Sequence, residues 1–155
     1  MHIKKVQAQN FKSFKKLDFD LKKINILLGP NNSGKSNIIK LFLLLKQTYI
    51  SNLQSPLILN GNIISFGSYK HISYRFLNEP IQISLIITNP YEIFYPLHHI
   101  REVEEISEDT LIKIETEYQF DSETKKIKTN FIKINDLNSK INLFEYNLKK
   151  NEIKI

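Results

Sequence analysis

The stretch Gly29-Pro30-Asn31-Asn32-Ser33-Gly34-Lys35-Ser36 reads G-x-x-x-x-G-K-S, a pattern whose residue types suit the holding of a polyphosphate. A triphosphate needs several backbone N–H groups pointing inward, a helix N-terminus behind them, and a chain thin enough to wrap around it. Gly29 opens the tight turn, and Gly34 lets the backbone approach where a side chain would clash. Lys35 is suited to reach the β- and γ-phosphates as a point charge, and the Ser36 hydroxyl to ligate Mg2+. The bare pattern arises by accident in roughly one chain of this length in a few hundred, so its flanks decide what it means.

On the amino-terminal side, Ile24-Asn25-Ile26-Leu27-Leu28 is a short apolar run that predicts a buried strand ending at Gly29. On the other side, residues 38–47 are too long for an ordinary strand and carry good helix formers, which predicts a helix. Strand, glycine-rich turn and helix form the setting that the motif requires. Ile38, Ile39, Leu41, Phe42, Leu43, Leu44, Leu45 and Tyr49 leave the helix only a narrow polar face with Lys40 and Gln47. Burial over most of its circumference is therefore expected, and with it a rigid anchor for the loop. Ser51-Asn52 and then Pro56 should end the helix.

A chain of 155 residues is one domain or less and long enough to bury a core. With 41% hydrophobic and 25% charged residues, its composition is that of a folded globular protein. No run approaches the roughly 20 apolar residues of a membrane span, and the basic start lacks the apolar region of a signal peptide, so no membrane partner and a cytoplasmic location are expected. Zero cysteines exclude disulfides and cysteine-based metal or nucleophile chemistry. The net charge of +6 comes mostly from lysines interspersed with Ile and Asn, and Arg75 and Arg101 are the two arginines. Such a chain binds phosphate polymers weakly through counterion release, and a nucleic-acid partner stays open on that ground.

Residues 2–10 predict a first strand, and Leu17, Phe19 and Leu21 alternating with Asp18 and Asp20 predict a second. Between them lies Asn10-Phe11-Lys12-Ser13-Phe14-Lys15-Lys16. A first strand, an N-F-K-S-F turn, a second strand and then I-N-I-L-L-G-P-N-N-S-G-K-S-N resembles the amino-terminal lobe of the ABC-type ATPase heads of SMC, RecF and OLD-like proteins. The likeness is strongest to the OLD-like group of AAA-family ATPases. It covers residues 1–50 well and continues more weakly through Phe66-Gly67-Ser68-Tyr69-Lys70-His71-Ile72. The resemblance implies that Asn31, Asn32, Ser33, Gly34, Lys35, Ser36 and Asn37 bind ATP with Mg2+. It also implies that Lys12 and Ser13 approach the α-phosphate or the base.

From residue 57 the pattern turns to strands. Ile81, Ile83, Leu85 and Ile87 alternate, as do Ile112, Ile114, Thr116, Tyr118 and Phe120. The turn Asp121-Ser122-Glu123-Thr124 and a returning segment with Ile127, Phe131, Ile132 and Ile134 complete a hairpin, and residues 142–148 give one more strand. Residues 101–109, rich in acid and following His98 and His99, read better as a solvated loop than as a metal site. Together with the resemblance, this predicts an α/β (α+β) P-loop NTPase lobe over residues 1–155. Its parts are a P-loop core at 1–56, with a mixed sheet, and an antiparallel, β-rich subdomain at 57–155.

A hydrolysing head of this family also needs an apolar strand ending in Asp and Glu, to hold the metal water and activate the attacking one. None of Asp18, Asp20, Asp109, Asp121 or Asp136 follows such a strand. Leu111-Ile112-Lys113-Ile114-Glu115 comes nearest, but the alternation places Glu115 beside Lys113 as a surface position. The L-S-G-G-Q-like signature and a switch histidine are missing as well, and neither Gln82 nor Gln119 has a context that marks a metal-sensing glutamine. The expectation is thus an incomplete lobe, from a fragment, a truncated gene or a split ATPase. Such a lobe binds Mg-ATP and needs a carboxy-terminal lobe and a second head for hydrolysis. The alternatives are an ATP-dependent interaction module without catalysis, or a complete small kinase or GTPase. The last pair is disfavoured by two arginines and no Asn-Lys-x-Asp.

Overall fold

The computed structural model describes residues 2–51, 55–88, 109–148 and 152–154. Chain alternation sets the architecture. Strands β1 (His2–Phe11) and β2 (Phe14–Asp20) form a hairpin, and β3 (Ile81–Thr88) pairs with the other side of β1. Then β4 (Leu111–Asp121), β5 (Lys126–Asp136), β6 (Asn142–Asn147) and β7 (Glu152–Lys154) follow in a meander. The order is β2-β1-β3-β4-β5-β6-β7 in one seven-stranded sheet, and every pairing is antiparallel.

The mixed sheet expected from the sequence is not formed among the described residues. The buried strand expected at Ile24–Leu28 is not formed either, and this run takes no strand pairing: Ile24, Ile26 and Leu28 are 79%, 77% and 87% exposed. An extended apolar run stays in water when no neighbouring strand offers it hydrogen bonds and a covered face.

One face of the sheet is apolar. Val6 and Ala8 on β1, Ile81 and Ile83 on β3, and Tyr118 on β4 form a core with Leu41 and Leu44 of the helix α1 (Lys35–Ile50). Leu57, Leu59, Phe66 and the short helix α2 (Tyr69–Ile72) close it. Tyr69 ties this layer to the sheet. Its hydroxyl points at the carbonyls of Tyr118 (2.7 Å) and Glu79 (3.0 Å) and accepts from the Ile81 N–H (3.1 Å).

The opposite face is polar, with its charges paired along and across strands. Lys5 reaches Asp18 at 2.7 Å and Asp20 at 3.3 Å, and Lys113 reaches Glu115 at 2.8 Å. The last pair matches the reading of Glu115 as a surface position. Gln82 donates to Glu117 (2.7 Å), and Gln119 accepts from Asn130 (3.0 Å), so both glutamines are engaged within the sheet. His98, His99 and the acidic residues 101–108 lie outside the described residues.

Helix α1 departs from its expected burial. Only Leu41, Leu44 and Gln47 are buried along it, while Ile39, Tyr49 and Ile50 are more than half exposed. Gln47, expected on the solvent face, is 4% exposed. It donates to the Ile58 carbonyl (2.9 Å) and accepts from the N–H groups of Ile63 (3.1 Å) and Ile64 (2.9 Å). Segment 57–66 has no sheet partner for these three backbone groups, and the amide of Gln47 satisfies all of them, which is why a polar residue sits inside.

Candidate functional site

The loop before α1 is shaped by two glycines in conformations that other residues avoid. Gly29 has φ +150°, and Gly34, the residue that caps α1, has φ +97°. At Gly34 a Cβ would lie 2.9 Å from Cζ of Phe14 and 3.0 Å from Oγ of Ser13, so the first turn of the chain packs directly on the loop. Gly34 accepts hydrogen bonds from the N–H groups of Asn37 (2.8 Å) and Ile38 (3.3 Å), and no side chain caps the helix N-terminus. The first-turn N–H groups therefore face the loop, with the positive end of the helix dipole behind them.

Lys35 folds back into the loop. Its Nζ donates to the carbonyls of Gly29 and Pro30, each at 2.6 Å, and lies 3.4 Å from Ser33 Oγ. Asn31, Asn32, Gly34, Lys35, Ser36, Asn37 and Lys40 line one cavity of about 740 Å³. Its described lining carries two lysines and no carboxylate. An ordinary sequence reading places Lys40 on the solvated face of the helix; the signal that finds it is spacing, because it lies one turn beyond Ser36 and Asn37.

Lys12 and Ser13 stand next to this cavity. Asn37 Nδ2 donates to Ser13 Oγ at 2.9 Å, joining the β1–β2 turn to α1. The Lys12 N–H donates to the Ile72 carbonyl (2.7 Å), and its ammonium lies 4.8 Å from the centre of the Phe66 ring. Burial, and then the like charge of Lys40, pull the Lys12 ammonium below the usual lysine value. The residues singled out from the sequence thus fall into two groups, those of the loop cavity and the pair on the adjoining turn. The described residues contain no cluster of three or more His, Cys, Asp or Glu that fits a metal ion.

The chain belongs to the AAA ATPase domain family, which it matches along residues 1–155, and that family implies a P-loop NTPase fold. It is also similar to the chromosome partition protein Smc of Methanocaldococcus jannaschii, with 53% identity over 38 residues. That segment is 24% of this chain and 3% of the Smc protein. The resemblance to the amino-terminal part of SMC/RecF/OLD-like ATPases is therefore upheld. No helix among the described residues is long and apolar enough to cross a membrane.

Proposed function

We propose that this chain holds Mg-ATP at the loop Gly29–Ser36, as the P-loop lobe of an SMC/RecF/OLD-like ATPase, and depends on a carboxy-terminal lobe and dimerisation for hydrolysis. The observation that carries this reading is the left-handed turn at Gly34, which opens α1 with no side-chain cap, with the Lys35 ammonium held inside the loop. Backbone N–H groups of Gly34, Lys35 and Ser36 would surround the phosphates, and Lys35 would leave the loop carbonyls for phosphate oxygens. Asn31, Asn32 and Ser33 would shape the loop around them. Ser36 supplies one hard oxygen of the kind Mg2+ takes, with phosphates and water completing its shell. When bound, Mg2+ neutralises phosphate charge.

In this reading residues 1–56 form the P-loop core and 57–155 a β-rich subdomain of one lobe. Because the described cavity lining includes no carboxylate, the group that activates water comes from another segment or chain. The exposed run Ile24, Ile26 and Leu28 leads straight into the loop and supports docking of such a lobe beside it. The same run favours a second reading, an interaction module that uses ATP to hold a partner without hydrolysing it. A DNA-linked role is the extension suggested by the Smc relative.

Equilibrium binding of a fluorescent ATP analogue with Mg2+ tests the proposal, with phosphate release followed in the same samples. Lys35→Ala should weaken binding by about tenfold or more, the loss of a charge-assisted hydrogen bond. Negligible phosphate release by the chain alone is expected. Equal binding by the variant would sink the assignment of Lys35, and steady Lys35-dependent turnover would sink the need for a second lobe.

A further inference from the structure

The polar face of the sheet carries a well of about 200 Å³, none of whose lining residues belongs to the loop cavity. Ser84 of β3 lines it, and in register Ser84 faces Gln7 on β1 and Glu115 on β4, so it sits between two long side chains. Gln9 and Gln82 form the next row, two residues along on the same face. Phe131 of β5 adds an aromatic ring to the lining.

The Ser84 side chain is out of keeping with its setting. It is 8% exposed, and among the described residues its hydroxyl is the one buried side-chain polar atom without a hydrogen-bond partner. Such a group destabilises a fold where an alanine of nearly the same shape would not, so its presence asks for a reason. The groups around it are held: Gln7 Nε2 donates to Asp18 (2.8 Å) and Gln82 Nε2 to Glu117 (2.7 Å), which fixes each amide plane and leaves its oxygen to accept. The charges close on one another, Lys113 on Glu115 at 2.8 Å and Lys5 on Asp18 at 2.7 Å. Lys5 first, then Gln7 and at longer range the exposed Lys16, hold the Asp18 carboxyl below the usual carboxylate range, so Lys16 is balanced as well.

We infer that this well binds a small neutral polyhydroxyl compound, a monosaccharide or cyclic polyol, with Ser84 and the amides of Gln7, Gln9 and Gln82 on its hydroxyls and the Phe131 ring against its C–H face. The serine hydroxyl and the glutamine amides each donate and accept, as the hydroxyls of a sugar do, so the two sets are complementary group by group. An ion would need an opposite charge without a partner, and the charges around the well are matched. The volume lies below the roughly 300 Å³ at which sites for drug-sized ligands begin, so one ring-sized molecule fits and a chain does not. Seated between Gln7 and Glu115, the ligand gives the Ser84 hydroxyl the partner that the fold does not supply.

The test is saturation-transfer difference NMR with D-glucose, D-galactose, D-ribose and myo-inositol as probes. Titration of the best of them then gives its affinity for the native chain, Ser84→Ala and Phe131→Leu. Ser84→Ala removes a hydroxyl that holds nothing in the fold, so its thermal midpoint should equal or exceed the native one. Its affinity for the probe should fall about fivefold, the loss of one neutral hydrogen bond. Phe131→Leu keeps an apolar side chain and should weaken binding about threefold, the loss of the ring face. ATP-analogue binding should be unchanged in both variants, and its loss would overturn the separation of this well from the loop. The inference is overturned if none of the probes binds the folded native chain, which would leave the well to water, or if either variant binds the best probe as the native chain does. It is also overturned if glutamate or inorganic phosphate, tested alongside, binds more tightly than every neutral probe and loses affinity in Ser84→Ala, since the well would then be a site for ions. A lower thermal midpoint in Ser84→Ala would overturn it too, by showing that the hydroxyl has its partner within the fold.

Discussion

Strand β3 and the run Ile24–Leu28 are alike in sequence and opposite in fate. Both are short, apolar and rich in isoleucine. β3 lies between β1 and β4, with Ile81, Ile83 and Ile87 at 2% exposure or less. Ile24, Ile26 and Leu28 stand in water, and the Asn25 side chain bonds to Lys22 nearby. Local propensity is the same in both, so neighbours on either side make the difference. Full burial of one such side chain is worth about 1.5–3 kcal/mol, which the paired strand gains and the unpaired run forgoes.

The comparison breaks most sharply in the core that β3 shares with β1. Phe11 is fully buried at the end of β1, where it pairs with Phe14 across the hairpin. Phe11→Ala should destabilise the chain by about 3–5 kcal/mol through lost burial and the cavity left behind. Urea unfolding followed by far-UV circular dichroism measures it; a loss under about 1 kcal/mol would mean that this end of the sheet is loosely packed.

Tyr69→Phe is the next step down. It removes one oxygen and leaves the Ile81 N–H and the carbonyls of Tyr118 and Glu79 without that partner. A cost of about 1–3 kcal/mol is expected, and the same unfolding experiment reads it. Stability equal to that of the native chain would show that water replaces the hydroxyl there.

These two contrasts explain what the sequence made legible. Period-two alternation marked β2, β3 and β4, because each strand has one apolar face on the core and one polar face outside. It could not separate β3 from Ile24–Leu28, since a run of apolar residues states a demand for burial and not its fulfilment. Periodicity also misplaced Gln47, whose burial follows from three unsatisfied backbone groups in segment 57–66 that no helical wheel displays. At the candidate site, the spacing of Gly29, Gly34, Lys35 and Ser36 was enough to mark the loop. The well at Ser84 was hidden, because it depends on the register that brings β1, β3 and β4 together and not on any spacing along the chain.

A smaller effect concerns the outer end of the sheet. Lys128 beside Asp121, helped by Thr124 and by the N–H groups of Glu123 and Thr124, holds the Asp121 carboxyl well below the usual carboxylate range. A group whose folded value is depressed stabilises the fold above its unfolded value, near about 4, and loses that contribution as pH falls through the folded value. Between neutral pH and about 5 the stability difference between native and Asp121→Asn chains should be constant, and it should shrink as acid is added below about 4. Thermal melts across that range check the sign. A difference that grows toward low pH would show that the carboxylate is not stabilised by these partners.

The smallest effect on stability is expected where the two runs differ most. Replacing Ile24, Ile26 and Leu28 together by serine removes three large side chains that touch little of the fold, so the unfolding free energy from urea titration should change by no more than about 0.5 kcal/mol per site. Their exposure has a consequence elsewhere: an open apolar edge favours association, and sedimentation velocity should show less concentration-dependent self-association in the triple variant than in the native chain. A large stability loss would mean that the run is covered by its own chain in solution, as β3 is, and the contrast between the two would vanish. Unchanged stability with unchanged association would leave the run exposed but remove the reason for seating another lobe upon it.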